Sequence, residues 1–347
     1  MQIRIYDKGF NSLTVLFQGS DFVDLQYGNF LDRVGNASFT VDIKNPKVTT
    51  ANVKHYNKVE ISDDDGTVRW VGVIVNKKIL LNIVTIQCFQ LIHLLERRRS
   101  DESVSYSHAA SYIVSQLLSY TNGLGYTGII AGTINVSDVV NKDLKRASIL
   151  SAISDIAQET DSQYFVNNSR QLDFKDQVGT DLSASIQMRY NKDLLPMANV
   201  IDFNVTDDGS KIRSRTYGKT SSLTSTQTDS TLLSDYGLLE DTEDFREITD
   251  QTTLDNATAN ANKGAEFSPS FLLAPDFTDN FEVGDIVSVV LKNELVDVSE
   301  NYQIFEKSVV FRGSQKQISL RFNSNVDDIA TVIKNLKKDV DTLSREV

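Results

Sequence analysis

The sequence predicts a β-rich α+β chain, with two similar antiparallel β-barrels flanking an α+β insert and a coiled-coil helix at the C-terminus. Three observations predict it. Apolar and polar residues alternate with period two in the first and last thirds, a period near 3.6 governs the middle, and unbroken heptads fill residues 326–347. The expected organisation is a first barrel over 1–99, an α+β insert over 100–198 and a second barrel over 199–322, with the helix over 323–347. Within the second barrel a long loop at 219–247 precedes a short helix at 251–264.

At 347 residues the chain is long enough for two or three cores, taking roughly 100–200 residues per domain. In the first block, "ASFTVDI" sets Phe39, Val41 and Ile43 on one side and Ser38, Thr40 and Asp42 on the other, a half-buried strand. "VEISDDDGTVRWVGVIV" reads as two strands joined at Asp63-Asp64-Asp65-Gly66, where short polar residues and a glycine tolerate left-handed backbone. A third strand, "ILLNIVTIQCF", is expected after a turn at Asn76-Lys77-Lys78.

The period then changes. "SHAASYIVSQLLSY" places Ala109, Tyr112, Ile113, Gln116, Leu117 and Tyr120 near one helical face, with Ser107 as a cap. "SILSAISDIAQET" does the same with Ile149, Leu150, Ile153, Ile156 and Ala157. The glycines from Gly123 to Gly132 make a connecting loop, and "SQYFVNNSRQLDFKD" reads as a hairpin turning at Asn167-Asn168.

Strands resume at "VIDFNVTDDGSKIRSRTYGK", with a turn at Asp207-Asp208-Gly209. The Ser-, Thr- and Asp-rich stretch after it lacks a period and reads as an exposed loop, ordered only if a neighbour orders it. "QTTLDNATANANKGAEF" is a short helix, and "FEVGDIVSVVL", "YQIFEKSVVF" and "KQISLRF" form a second meander. The spacing of "WVGVIV…TIQCF" and "IFEKSVV…ISLRF" is loosely alike, which hints at duplicated barrels.

In the heptads Val326, Ile333, Val340 and Val347 occupy the a positions and Ile329, Leu336 and Leu343 the d positions. β-Branched a positions with Leu at d favour a parallel dimer. Ala330 at e and Val332 at g widen the seam, which suits three strands. The candidate oligomerisation set is therefore Val326, Ile329, Val332, Ile333, Leu336, Val340, Leu343 and Val347.

Composition narrows the function. Net charge is −12, from 47 acidic against 35 basic residues, and no basic stripe interleaves with aromatics, so a nucleic-acid surface is disfavoured. The densest basic run, Arg97-Arg98-Arg99, reads as a solvated or subunit-contact surface, with recognition of a small anionic patch as the sharper alternative. The longest apolar run, Ile79–Ile86, is interrupted at Asn82 and falls short of the ~18 residues that span a bilayer. "MQIRIYDKGF" lacks a secretory pattern, and the single cysteine, Cys88, reads as a buried thiol; both fit synthesis in a reducing cytoplasm. "LTVLFQGS" matches a viral protease cleavage sequence by accident, inside a strand pattern.

Catalytic constellations are hard to assemble. His55, His93 and His108 lack the spacing of a zinc helix, and neither a phosphate loop nor a nucleophile elbow occurs. Asp63-Asp64-Asp65, Glu240-Asp241 and Glu243-Asp244 fall in expected turns or loops, where nothing would raise a carboxyl's pKa for general-acid work. No metal and no cofactor is expected.

Three stretches carry a resemblance. "SILSAISDIAQETDSQYFVNNSRQLDFKD" resembles the central domain of phage tail-tip hub proteins. "TLDNATANANKGAEFSPSF" with "FEVGDIVSVV" is similar to the opening of their last barrel, and "RWVGVIV" with "LIHLLERR" resembles their first barrel and its exit. This family includes the baseplate hub of contractile tails and the tail-associated protein of long non-contractile tails. The resemblance covers residues 1–322 in order.

It implies a virion component at the tail tip: a homotrimer whose six barrels form a pseudo-sixfold ring, joining the sixfold tail tube or distal-tail ring to a threefold tip, fibre or spike. DNA would pass through the lumen without specific binding. Many members continue into a longer C-terminal region, whereas this sequence stops at Val347. A tail-borne endopeptidase or peptidoglycan hydrolase is the first alternative, resting on Asp155, Glu159, Asp161 and Asp173. A receptor- or carbohydrate-binding module is the second, with Tyr106, Tyr112, Tyr120 and Tyr126 as a stacking face.

Overall fold

A computed structural model describes residues 1–101, 103–191, 199–245, 251–264, 266–274, 277, 280–293, 295–313 and 315–322. Two compact units are present, one made of Met1–Phe203 with Ser270–Phe322 and one containing Asn204–Pro269.

The first unit begins with seven antiparallel strands: β1 (Gln2–Tyr6), β2 (Ser12–Phe17), β3 (Phe22–Phe30), β4 (Asn36–Asp42), β5 (Lys58–Ser62), β6 (Val68–Leu80) and β7 (Ile83–Gln90). Alternation places the "ASFTVDI" strand as expected for Phe39 and Val41 but not for Ile43, which lies past the end of β4, where the chain turns on Asp42, and is 40% exposed. Ala37, Phe39 and Val41 of β4 are buried, as are Ile3 and Ile5 of β1, around Trp70, whose Nε1 donates to the Gly28 carbonyl at 3.2 Å. Asp63-Asp64-Asp65-Gly66 is the β5–β6 turn, with Gly66 at φ +89°. One expected turn is corrected. Asn76-Lys77-Lys78 lies inside β6, which passes a bulge between Ile74 and Asn76 and turns instead at Leu81-Asn82. Cys88 is fully buried opposite Ala37, and burial pushes its thiol pKa up.

The insert follows: α1 (His93–Glu96), β8 (Val104–Ala109), α2 (Ala110–Gly123), β9 (Ile130–Ile134), β10 (Val139–Leu144), α3 (Ile149–Glu159), β11 (Gln163–Val166) and β12 (Gln171–Lys175). Its helices cover a core containing Ile113, Leu117, Ile153, Ile156, Leu172 and Phe174, which also takes Val71 and Val73 from β6. The α3 stripe is close to the expected one, with Ala152 replacing the half-buried Leu150, and Ser148 caps it through Ser151 N. The α2 stripe is rotated. Ile113, Val114, Leu117, Leu118 and Thr121 are buried, while Tyr112, Gln116 and Tyr120 face outward. Ser107 does not cap α2; it pairs with Asn141 within the β8–β10 ladder.

β13 (Gln187–Asn191) leads to β14 (Val200–Asp208), which crosses into the second unit. That unit carries β15 (Arg215–Lys219), β16 (Thr224–Thr228), α4 (Ser230–Tyr236), β17 (Glu240–Asp244) and α5 (Gln251–Asn260). The expected loop at 219–247 is therefore corrected over its described part. β16 and β17 flank β15 as a three-stranded sheet, and Asp229 caps α4 through the amides of Thr231 and Leu232. α5 packs on this sheet through the fully buried Leu254 and Thr258, Ser225 Oγ donates to Asp255 at 2.6 Å, and just past the helix Asn262 accepts from Thr216 Oγ1 at 2.9 Å.

The chain returns through β18 (Glu266–Leu273), β19 (Ile286–Lys292), β20 (Asp297–Arg312) and β21 (Gln315–Phe322). β20 pairs with β19 along its first half, and with β21 and β3 along its second. The β3–β20 ladder is decisive for the architecture. It joins the two strand blocks into one 13-stranded sheet, ordered β14-β18-β21-β20-β3-β4-β7-β6-β5-β1-β2, with β13 and β19 as a branch. The protein is a β-rich α+β chain with a large sheet, whose ladders among the described residues do not close into barrels.

Candidate assembly surface

The strongest surface feature of the first unit is the tip of the β6–β7 hairpin. Leu80 pairs with Ile83 and Ile79 with Val84, so the strands stay in register to the end. Residues 78–83 are exposed on both faces, although β4 stays paired with β7 as far as the Asp42–Ile83 step. Ile79, Leu80, Leu81 and Ile83 are 69%, 57%, 87% and 41% exposed, and Ile43, whose amide donates to the Asn82 carbonyl at 2.9 Å, adds a fifth apolar side chain. Contiguous exposed apolar residues on a rigid element mark a surface that another molecule covers.

Backbone geometry at Leu81 supports the same conclusion. Its φ is +49°, a region where Gly or Asn would be relaxed and a bulky side chain is strained. Its side chain is 87% exposed, so packing among the described residues does not account for the leucine. Strain retained at an exposed apolar side chain argues for an external use.

Buried polar joints hold the insert rigidly against the sheet within this unit. Asp32, in the β3–β4 connection, accepts from the Tyr164 amide at 2.7 Å and donates its own amide to the Tyr164 carbonyl, while Tyr164 Oη donates to the Asp32 carbonyl at 2.6 Å. Burial pushes Asp32 up to about 7, against the opposing pull of the Tyr164 amide and of Arg33. Gln163 and Gln303 exchange amide bonds between β11 and β20, and Gln303 Nε2 also donates to the carbonyls of Val178 and Gly284. Gln90 links the Gly35 amide, Asn29 and the Val166 carbonyl. Such networks are stable only when their members are satisfied, and they fix element positions in doing so.

The heptad residues Val326, Ile329, Val332, Ile333, Leu336, Val340, Leu343 and Val347 lie outside the described residues. The carboxylates singled out for catalysis do not converge as an acid and base. Asp155 and Asp161 are exposed, Glu159 pairs with Lys142 at 2.6 Å, and Asp173 accepts from the amide of Thr133 and from Asn167. Of the tyrosines, Tyr106 packs on the insert core, Tyr112 stacks on His108 at 4.4 Å, and Tyr120 and Tyr126 are exposed. No cluster of His, Cys, Asp and Glu able to hold a metal ion occurs among the described residues. "LTVLF" lies in β2, an edge strand of the large sheet, and Gln18 follows its end. Sequence reasoning missed the hairpin tip. Its signal was there in "ILLNIV", where Asn82 marks the turn and the leucines flanking it have no buried period to satisfy.

The first unit thus combines a large sheet, a helical insert and an exposed apolar hairpin tip. The particular fold is given by solved structures. The chain is similar to the tail protein from Neisseria meningitidis MC58, at 12% identity and a TM-score of 0.69, covering 93% of this chain and 96% of that one. It is similar to the prophage tail protein gp18 from Listeria monocytogenes EGD-e, at 15% identity and a TM-score of 0.63, covering 97% and 99%. The E. coli c3393 protein, a component of the type VI secretion system with structural similarity to T4 bacteriophage tail proteins gp27 and gp5, matches at 11% identity and a TM-score of 0.53, covering 88% and 74%. No family model and no curated protein matches the chain. The protein thus has a fold shared by phage tail proteins and by a component of the type VI secretion system, and the tail-protein fold is the one that the sequence resemblance implied.

Proposed function

We propose that this protein is the structural hub at the distal end of a phage or tailocin tail, located in the virion at the tail tip. The observation that carries the reading is the end-to-end structural likeness to tail proteins, with 93% of this chain matched to 96% of the Neisseria protein. In this role three copies form a pseudo-sixfold ring. The blocks 1–99 and 199–322 act as two barrel-like halves flanking the insert 100–198, and residues 323–347 form a three-stranded coil at the exit. One side of the ring meets the tail tube or distal-tail ring, the other a fibre, spike or receptor-binding protein.

The role asks for docking rather than a chemical step. The exposed hairpin tip supports this, as does the solvation of Asp155 and Asp161. A net charge of −12 fits a lumen through which DNA slides, because it repels phosphate.

The test is the mass of the protein by light scattering, together with images of assembled tails. A trimer, and a ring of six lobes at the tip, are expected. A monomer at high concentration with no such ring in particles would overturn the reading, and release of muropeptides from purified cell walls would replace it with the hydrolase.

A further inference from the structure

The region of Arg97-Arg98-Arg99 holds a feature that the hub role leaves unused. The loop from Gly125 to Ile130, between α2 and β9, is held by two cationic side chains and by a backbone bond from a third cationic residue, whose guanidinium lies on Phe10. Arg98 Nη2 donates to the Gly125 carbonyl at 3.3 Å, Lys58 Nζ donates to the Thr127 carbonyl at 2.7 Å, and the Arg170 carbonyl accepts from the Ile130 amide at 2.9 Å. Phe10 sits among them. The Lys58 ammonium lies 5.4 Å from its ring centroid and the Arg170 guanidinium 4.3 Å, and Gly128, at φ +92°, leaves room for the ring where a Cβ would collide with it.

Three like charges have been gathered here in a chain whose net charge is −12. Among the described residues no carboxylate pairs with Lys58, Arg98 or Arg170. The nearby acids are engaged elsewhere: Glu60 accepts from Tyr6 Oη at 3.2 Å, and Asp7 closes its own turn on the amides of Gly9 and Asn11. Lys58 is 4% exposed, and its ammonium is pushed down to about 8 by burial and then by the charges of Arg170 and Arg98. Repulsion is therefore built into the cluster.

A purely structural clamp would not need it. Lys58 and Arg98 each spend one bond on the loop and Arg170 stacks on Phe10, so among the described residues most donors of the ammonium and the two guanidinium groups are not taken by protein acceptors. Guanidinium forks match the oxygens of phosphate or carboxylate in pairs, and three positive charges suit a dianion better than a monoanion.

We propose that Lys58, Arg98 and Arg170, around Phe10 and the 125–130 loop, form a binding site for a phosphate group. The group is either free phosphate or the terminal phosphate of a monoester. The inference stands on these residues alone and is independent of the hub reading.

The test uses the intact protein at constant ionic strength, with sodium chloride replaced by inorganic phosphate or by adenosine monophosphate, read by calorimetric titration and thermal melting. Binding of phosphate at a Kd on the order of 1 mM or tighter is expected, with the melting midpoint rising by about 2 °C at saturation. Arg98→Gln and Arg170→Gln, at half-buried positions that leave the Lys58 bond in place, should each weaken binding about tenfold or more. Equal binding of both probes identifies the phosphate group alone as the recognised element, and binding of the monophosphate only assigns the site to esters. No binding of either probe, or binding that both substitutions leave unchanged, overturns the site.

Discussion

Asp32 makes a pH-dependent contribution whose sign is fixed by its surroundings. Its carboxyl sits at about 7 because burial disfavours the charged form, whereas an unfolded Asp titrates near ~3.9. Across that window the unfolded chain releases a proton that the folded chain keeps, so the contribution is greatest below pH ~4 and is lost as pH rises toward 7. Asp32→Asn keeps an oxygen for the Tyr164 amide and removes the titration. Urea melts at pH 4.5 and 8 should show the native protein losing about 2–4 kcal/mol relative to the variant across the window; parallel pH profiles would count against the assignment. Gly179 gives a second residue-scale prediction. At φ +90° it lies against Gly284, where an alanine Cβ would collide with backbone. Gly179→Ala should cost about 2–4 kcal/mol in denaturant melts, through strain and displacement of the Gly284 turn together. Neither effect was legible in sequence, because each depends on a partner more than a hundred residues away.

At the scale of elements, legibility followed period and burial. The α3 stripe and the β4 alternation were readable because each buries one face only. The α2 stripe was misphased because tyrosines count as apolar in a pattern, yet Tyr112 and Tyr120 are at the surface. The β15–β16–β17 sheet was invisible for the opposite reason: its cover is α5, and the contacts are Thr, Ser and Asn, so no apolar alternation marks the strands. The β6–β7 hairpin allows stability and docking to be separated. Leu81→Gly relieves the strain at φ +49° and should leave the melting midpoint unchanged or raise it by about 0.5–1 kcal/mol equivalent. The same change removes the most exposed apolar side chain of the tip and should weaken self-association in sedimentation or light scattering. Weakened association with retained stability supports the tip as a contact, whereas unchanged association removes it from the interface.

For the whole molecule, the proposed trimer raises the question of what would hold its copies together. The heptads of residues 326–347 would span roughly 33 Å at 1.5 Å per residue, and helices of that length are marginal without tertiary support. A ring built on barrel-like halves would carry most of the association, with the coil adding a smaller share. Leu336→Asp places a charge at a d position in every copy at once, and each lost leucine is worth about 1.5–3 kcal/mol of burial. Summed over three copies, and with the midpoint concentration varying as the square root of a trimer's dissociation constant, the midpoint should therefore rise by about 50- to 2,000-fold while a trimer still forms at high concentration. A variant that is monomeric throughout would make the coil the principal clamp, and one that associates like the native protein would place these heptads outside the contact. Combining Leu336→Asp with Leu81→Gly separates the contributions further: effects that add mark independent contacts, and a combined effect differing from the sum marks contacts formed in one cooperative step.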